Sequence, residues 1–408
     1  MADALSDRTI DIVKATIPAL EKGGTAVTDR MYQILFTNPD IRDLFNQSHH
    51  GETGSQSKAL TAAVIAYGRN IDNLGVLASR VERITQKHVA LNILPEHYHF
   101  VAEALLGAIK DVLGDAATDE VLEAWGEAYW FLADLLMARE SNIYARLAAA
   151  SGGWNGWRDF AVESTELASE VIRSFILVPT DGQAVMRHRP GQYLTFALDV
   201  PGAGHLKRNY SISSAPDGRS YRISVKRETR PGVPPGLASN WLHDHAAPGT
   251  VLKVAPPAGE FFLDEKDDGP VVLLSGGVGL TPMMSMLETI ARSGSGRPVW
   301  YIHGAENGRV HAMGEHARAL ASQARNITVS TFYNTPVQDD QLGVHYDEPG
   351  LITADWLARN TPIQEAAYYL CGPRPFLRAM VGGLARTGVP LGSIHYEFFG
   401  PADELLAA

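Results

Sequence analysis

Three groups of residues in this chain have types and spacings suited to chemistry. Gly276-Gly277-Val278-Gly279-Leu280-Thr281-Pro282 follows the apolar run Val271-Val272-Leu273-Leu274-Ser275. A buried strand that turns through glycines into a helix offers backbone N–H groups to a phosphate. Thr281 is placed to cap that helix and Pro282 to occupy its first turn. Pro282 stands where the dinucleotide fingerprint has its third glycine, so the loop departs from that fingerprint. A second loop, Cys371-Gly372-Pro373-Arg374-Pro375-Phe376, opens at another strand end. Either loop alone could be a mere turn; two at one sheet edge point to a nucleotide site.

The second group is Arg208-Asn209-Tyr210-Ser211. On a strand, period-two alternation puts Arg208 and Tyr210 on one face, about 7 Å apart. A cation beside an aromatic plate suits a flavin, which needs a ring against its isoalloxazine and positive charge near its pyrophosphate. Taken alone, the four residues better describe an exposed strand arginine and a packed tyrosine. Downstream, Gly236-Leu237-Ala238-Ser239-Asn240-Trp241-Leu242 reads as a loop entering a helix, a further place for a phosphate. The third group centres on His88, which shares an apolar helical stripe with Val81, Ile84 and Leu91. By itself, such a histidine is more often a satisfied core residue than a ligand. The same holds for Tyr32 as a core tyrosine.

The elements that must position these residues divide the chain. Residues 1–150 contain 9 Gly and 3 Pro, against 29 and 20 in the remainder of the 408. The first part therefore reads as helical and the rest as rich in strands and turns. Amphipathic stripes, such as Val27, Met31, Ile34 and Leu35, and breaks at Gly23-Gly24 and Asn38-Pro39 predict an all-α domain. Pro95 suits the first turn of a new helix. Ala148 to Gly153 is small and flexible, as a linker would be. From Arg158 to Asp264, short β-rich runs between turn signals predict an antiparallel barrel or sandwich, with strands at 171–178, 193–198, 209–213, 221–226 and 250–254. Beyond 270, strands alternating with helical patterns predict a parallel sheet covered on both faces.

Composition excludes several classes. A net charge of −11 argues against a general binder of nucleic acid or anionic membranes. Cys371 is the one cysteine, so neither an intramolecular disulfide nor a cysteine-based zinc site can form. The first twenty residues are charged, without a secretory pattern, and no run of about 18 apolar residues occurs. A cytoplasmic protein is expected.

Arg208-x-Tyr210-Ser211, Gly277-Val278-Gly279-x-Thr281-Pro282 and Cys371-Gly372-Pro373 follow one another in the order used by the ferredoxin–NADP reductase superfamily, which residues 155–408 resemble. The resemblance implies an antiparallel β-barrel carrying FAD over 155–266 and an α/β parallel-sheet domain carrying NADH or NADPH over 269–408. The cofactor-binding residues it implies are Tyr193, Arg208, Asn209, Tyr210, Ser211 and Ser239 for the flavin. For the nucleotide they are Gly277, Val278, Gly279, Leu280, Thr281 and Pro282, with Cys371, Gly372 and Pro373. Terminal Glu397, Phe398, Phe399, Gly400 and Pro401 resemble the segment that covers the other face of the flavin. The chain departs in two places: Asn209 stands where relatives often carry glutamine, and the Thr229–Gly236 loop, with Pro231, Pro234 and Pro235, is long.

Lys87-His88, Pro95, Tyr98 and Glu140 resemble the proximal side of a globin haem pocket, and Tyr32 and Phe45 its distal side. A globin over 1–148 followed by a flavin reductase resembles the flavohaemoglobins along essentially the whole chain. The resemblance implies haem b, its iron bound by His88, with Lys87 beside it. Tyr98 and Glu140 would form the polar network behind His88, Tyr32 would donate to iron-bound dioxygen, and Gln56 and Leu60 would line the ligand side. The implied activity is that of a nitric oxide dioxygenase, in which NAD(P)H reduces FAD and FAD reduces haem. Dioxygen and nitric oxide would be the substrates of a monomeric enzyme without nucleic-acid or integral-membrane partners. Two other readings stay open: an NAD(P)H-dependent flavin or ferric reductase, and a non-enzymatic haem-based sensor or store of oxygen or nitric oxide.

Overall fold

The computed structural model describes residues 4–45, 55–229, 232 and 234–400, the side chains of Asp40, Ser55 and Gln56 excepted. Two compact units result, one built on Met1–Ala149 and the other on Ala150–Gly204 and Arg208–Gly400.

The first unit is helical: α1 (Asp7–Gly23), α2 (Ala26–Leu35), α3 (Pro39–Arg42), α4 (Ser55–Arg69), α5 (Ala78–Ala90), α6 (His97–Leu113) and α7 (Asp119–Ala149). Ser6 starts α1 by accepting the Thr9 N–H at 3.1 Å, and Gly24, at φ +57°, stops it. Pro95 lies in the turn before α6 rather than in its first helical turn, because α6 begins at His97. Apolar stripes from these helices meet in one core, with Val13, Ile17, Met31, Leu105 and Trp125 inside. Trp125 is fully buried, and its indole N–H reaches Thr16 Oγ1 at 2.9 Å, tying α7 to α1. Among the described residues, no helix is long and apolar enough to cross a membrane.

The second unit begins with an antiparallel sheet of β1 (Arg158–Leu167), β2 (Ile172–Pro179), β3 (Tyr193–Val200), β4 (Gly204–Ser211), β5 (Tyr221–Lys226) and β6 (Val251–Val254), with helix α8 (Leu237–His245) between the last two. Strand order is β4-β3-β6-β1-β2-β5, and the sheet curls as a half-barrel. A bridge between Ile212 and Ile223 joins the continuation of β4 to β5. Strand β1 was not among the expected runs: only Phe160, Val162 and little else of it are buried, so its alternation is weak.

A parallel sheet follows, built from β7 (Val271–Gly276), β8 (Val299–Ala305), β9 (Ile327–Tyr333), β10 (Glu348–Pro349), β11 (Ala367–Cys371) and β12 (Ile394–Glu397). Helices α9 (Leu280–Ser293), α10 (Gly314–Gln323), α11 (Ala354–Asn360) and α12 (Arg374–Arg386) connect its strands. The order β10-β9-β8-β7-β11-β12 reverses direction between β7 and β11. Such a switch point leaves a crevice at the carboxyl ends of two adjacent strands, where ligands bind in open α/β sheets. Separate apolar clusters cover the two faces, which explains why β7 is buried at every position.

Helix α9 is buried at almost every position from Leu280 to Ile290, as a helix packed on both sides must be. Its Glu288 is only 1% exposed and accepts from Arg222 Nη2 at 2.6 Å, His316 Nε2 at 2.9 Å and the Ala215 N–H at 2.9 Å. Burial alone would raise this carboxyl, but the bond from His316, the Arg222 charge and the Ala215 N–H outweigh it and bring it from 4.5 to about 2. A depressed carboxyl contributes stability above its ordinary value and loses it as pH falls through the folded one. Urea unfolding should therefore show wild type more stable than Glu288→Gln at neutral pH, with the gap narrowing as pH drops from 4.5 towards 2.

Candidate functional site

In the helical unit, His88 ends α5, Tyr98 begins α6 and Glu140 lies within α7. The three side chains meet: His88 Nδ1 is 2.8 Å from Glu140 Oε1 and 3.0 Å from the Tyr98 hydroxyl, which itself donates to Glu140 Oε1 at 2.6 Å. Glu140 is 2% exposed, so these donors replace its lost hydration. An ionised carboxylate only accepts, which assigns the Nδ1 proton to His88 and leaves Nε2 as the nitrogen for a metal. Tyr98 is held protonated, first by burial and then by its bond to Glu140. Two further tyrosines brace the arrangement, Tyr129 donating to the Tyr98 carbonyl at 2.7 Å and Tyr144 to the Ile93 carbonyl at 3.0 Å.

Tyr32, on α2, is buried, and burial raises its hydroxyl so that it remains a neutral donor. Its ring lies 5.3 Å from Phe36 and 5.7 Å from Phe45, with 5.4 Å between the two phenylalanines. Leu60 and Phe45 are half-buried members of the same apolar core as Tyr32, Tyr98 and Ile84. Lys87 is exposed beside His88 at the end of α5. The Gln56 side chain lies outside the described residues, as does Pro401. One imidazole backed by a carboxylate, one neutral buried phenol and an apolar surround form the donor set a haem requires.

In the reductase unit, Arg208 and Tyr210 are half-buried while Asn209 between them is exposed, as alternation on β4 requires. Thr195 Oγ1 donates to Asn209 Oδ1 at 2.9 Å, and the Tyr210 ring packs 5.6 Å from Phe196. Ser211 is buried. Tyr193, on neighbouring β3, lies against Gly259, where a Cβ would come within 2.9 Å of the tyrosine ring. Ser239, in the first turn of α8, accepts the Glu228 N–H at 3.2 Å and donates to the Gly236 carbonyl at 3.3 Å. Its hydroxyl thus serves the loop, while the start of α8 offers backbone N–H groups.

At the parallel sheet, the two glycine loops touch backbone to backbone. A Cβ on Gly279 would sit 2.2 Å from the Cys371 carbonyl oxygen, and one on Gly372 would sit 3.1 Å from the Gly276 nitrogen. Gly277 adopts φ +56°, which lets Val278 and Gly279 turn directly into α9. Thr281 does not cap the helix: Gly279 is the N-cap, and the Thr281 hydroxyl donates to the Val278 carbonyl at 3.1 Å. Leu280 and Pro282 are buried in the first turn of α9. Cys371 is fully buried, and burial followed by the Glu397 charge pushes its thiol up, so it stays protonated. Pro373 caps α12, and Glu397 pairs in register with Cys371 at the end of β12. Beyond it, Phe398 lies under the Arg374 guanidinium at 5.7 Å, Phe399 is 47% exposed, and Gly400 abuts the Phe398 ring.

The bracing of the His88 network by Tyr144, the ring of Phe36 and the buried Glu288 were not read as site residues. Phe36 falls four residues after Tyr32 and carried a helical-spacing signal. Glu288 has one local signal, Arg292 four residues on, which donates to Oε2 at 3.2 Å. Its other partners His316, Arg222 and Ala215 lie 28, 66 and 73 residues away in the chain.

A globin domain joined to a flavin- and nicotinamide-binding reductase is the class these folds and sites define, an NAD(P)H-driven haem oxidoreductase. Models of the families described as "Globin" and "Oxidoreductase NAD-binding domain" match residues 28–136 and 273–382. The chain is 52% identical to a flavohemoprotein of Xylella fastidiosa over all of both chains, and 43% identical to one of Halalkalibacterium halodurans over 99% of each. It therefore belongs to the flavohaemoprotein family, with haem, FAD and NAD(P) as cofactors. A flavohemoglobin structure from Malassezia yamatoensis with bound FAD and heme shares the fold, with a TM-score of 0.84 at 24% identity over 97% of this chain and 100% of that one. The FAD/NAD-binding domain of a nitric oxide dioxygenase from Vibrio cholerae is 37% identical, with a TM-score of 0.54, covering 60% of this chain and 99% of that one.

Because the Gly279 position leaves no room for a methyl group, Gly279→Ala must move the Cys371-Gly372 backbone. Overpacking of this kind costs about 1–3 kcal/mol. Urea unfolding should show that loss in the reductase unit, and calorimetric titration should show NAD+ binding weakened at least about tenfold, since 1.4 kcal/mol is tenfold.

Proposed function

We propose that the protein is a nitric oxide dioxygenase, converting nitric oxide and dioxygen to nitrate at the expense of NAD(P)H. The observation that carries this reading is the His88–Tyr98–Glu140 network in the same helical core as the neutral, buried Tyr32. When bound, haem supplies dioxygen binding and one-electron chemistry, and FAD divides a two-electron hydride into single electrons. Two nitric oxide and two dioxygen molecules accept the two electrons of one NAD(P)H, giving two nitrates, NAD(P)+ and one proton. The domain bodies serving this reaction are the globin over 1–148, the flavin domain over 155–266 and the nucleotide domain over 269–408.

Each residue contributes by binding, orienting or excluding. His88 would hold the iron through Nε2, while Glu140 keeps the Nδ1 proton in place and raises the basicity of the ring. That increased donation favours activation of oxygen over its reversible carriage. Tyr32 keeps its proton and presents a hydroxyl donor, and Phe36, Phe45 and Leu60 keep the surrounding space apolar. Arg208 supplies positive charge and Tyr193 and Tyr210 aromatic faces for the flavin, with Ser211 and the start of α8 beside them. Gly277 to Gly279 admit the nucleotide backbone, and Glu397 to Phe399 lie at the sheet edge where a nicotinamide or flavin face would be covered. The reading makes the chain a cytoplasmic monomer. It is supported by the likeness of this chain's reductase unit to the FAD/NAD-binding domain of a nitric oxide dioxygenase from Vibrio cholerae.

With haem- and FAD-loaded protein, NADH, oxygen and nitric oxide, nitrate should form at about one per nitric oxide consumed. Tyr32→Phe should lower that turnover about a hundredfold, the usual cost of removing a preorganised donor, while NADH still reduces the flavin at the wild-type rate. Flavin reduction without nitric oxide consumption would instead establish a general reductase. Reversible ligand binding with no turnover would establish a sensor or store.

A further inference from the structure

Within the reductase unit, the segment after the flavin strand is fastened to the helix after the nucleotide loop. Strand β4 ends at Ser211, and the chain runs directly on through Ile212 and Ser213 to Ser214 and Ala215. Ser214 offers its carbonyl to Ser285 Oγ at 2.7 Å and to His188 Nε2 at 3.0 Å. Ala215 offers its N–H to Glu288 Oε2 at 2.9 Å. Ser285 and Glu288 lie three residues apart on α9, hence on one face of it. Arg222, on β5, donates to Glu288 Oε1 at 2.6 Å and also to the Ser213 carbonyl. His188, Ser285 and Glu288 are all buried. One polar cluster thus joins Tyr210, five residues before Ala215, to Gly279, six residues before Ser285.

Adhesion alone does not require these groups. The same boundary has an apolar cluster of Ile172, Leu280 and Ala312, with Val278 and Met313 packed on it. A Cβ on Gly191 would meet Met286 within 2.6 Å, so the surfaces already touch closely. A buried ion pair adds little to stability over a hydrophobic contact of the same volume, because both charges lose their hydration. It does impose direction: a guanidinium, a backbone N–H and a carbonyl are satisfied in one relative placement, whereas methyl groups slide. Hydride transfer is sensitive to placement of this order, since a 1 Å error can cost about a hundredfold.

We propose that Glu288 and Ser285 of α9, with Arg222 and His188 of the flavin-binding half, are positioning residues for hydride transfer, setting the nicotinamide against the flavin. None touches the reacting atoms in this assignment; they act through the Ser214-Ala215 segment and the helix. The assignment rests on the NAD(P)H-driven reductase alone and is independent of what the globin does with the electrons.

The test uses the full chain loaded with haem and FAD, mixed anaerobically with NADH in a stopped-flow instrument. In Glu288→Gln, and separately in Ser285→Ala, the limiting rate of flavin reduction should fall at least about tenfold. The dissociation constant for NAD+ and the FAD content should stay near wild type, and the long-wavelength charge-transfer absorbance between NADH and flavin should diminish. Glu288→Asp, which keeps the charge but shortens the reach, should recover part of the rate. The double variant Arg222→Met with Glu288→Gln removes both charges; its rate should stay low even where its thermal stability matches wild type. Wild-type limiting rates in both Glu288→Gln and Ser285→Ala would overturn the proposal. So would a loss of rate that merely tracks lost NAD+ affinity, lost FAD or lost thermal stability. Ser285→Ala, which leaves no charge without its partner, decides the matter if the Glu288 variants do not fold.

Discussion

A carboxylate removed from water must recover its hydration from donors that the protein holds in place, and each unit is organised around one such group. In the helical unit it is Glu140, at 2% exposure, and in the reductase unit it is Glu288, at 1%. Satisfying Glu140 requires α5, α6 and α7 to deliver His88 and Tyr98 to one oxygen atom. The result fixes which ring nitrogen carries the proton, and so which one can face a metal. Satisfying Glu288 requires the half-barrel to deliver Arg222 and the Ala215 N–H to a helix of the parallel sheet. In both cases the electrostatic demand of one buried group specifies the relative placement of elements distant in the chain.

The reductase meets a second demand with glycine. Two loops at the switch point of the parallel sheet approach until Gly279 meets the Cys371 carbonyl and Gly372 meets the Gly276 nitrogen. Backbone amides can line a phosphate only where no side chain intervenes, and strand ends can meet only where none collides. The surplus of glycine after residue 150 is therefore a packing requirement as well as a turn requirement. The helical unit closes its core with side chains instead: Trp125 fills the space between α7 and α1, and its indole proton is satisfied by Thr16.

Much of this was legible in order along the chain. Strand β5 and the glycine turn after β7 were read at or close to their observed positions, because alternation, continuous apolar runs and Gly-Pro signals are local. Arg208 and Tyr210 were placed on one face for the same reason. Errors arose where local signals were weak or ambiguous. Strand β1 buries few side chains, Gly279 rather than Thr281 caps α9, and Pro95 stands two residues before the start of α6 rather than in its first turn. Tyr129 and Tyr144 look like ordinary helical aromatics until their hydroxyls are traced to the carbonyls of Tyr98 and Ile93.

The amino-acid sequence by itself determined a helical part, an antiparallel β part and a parallel-sheet part, because periodicity and turn chemistry are properties of neighbouring residues. That the antiparallel sheet curls as a half-barrel was decided by the fold. It also placed His88 on an apolar stripe and glycines at strand ends. Only the tertiary structure decided that His88 is a proton-assigned member of a three-residue network rather than a satisfied core histidine. Only there does Glu288 become a junction, since Arg222 of β5, the Ala215 N–H and His316 of α10 reach it from 28 to 73 residues away. The physical reason is the same for both. Hydrogen bonds and charges act over a few ångströms of space, and separation along the chain carries no information about that distance until the chain has folded.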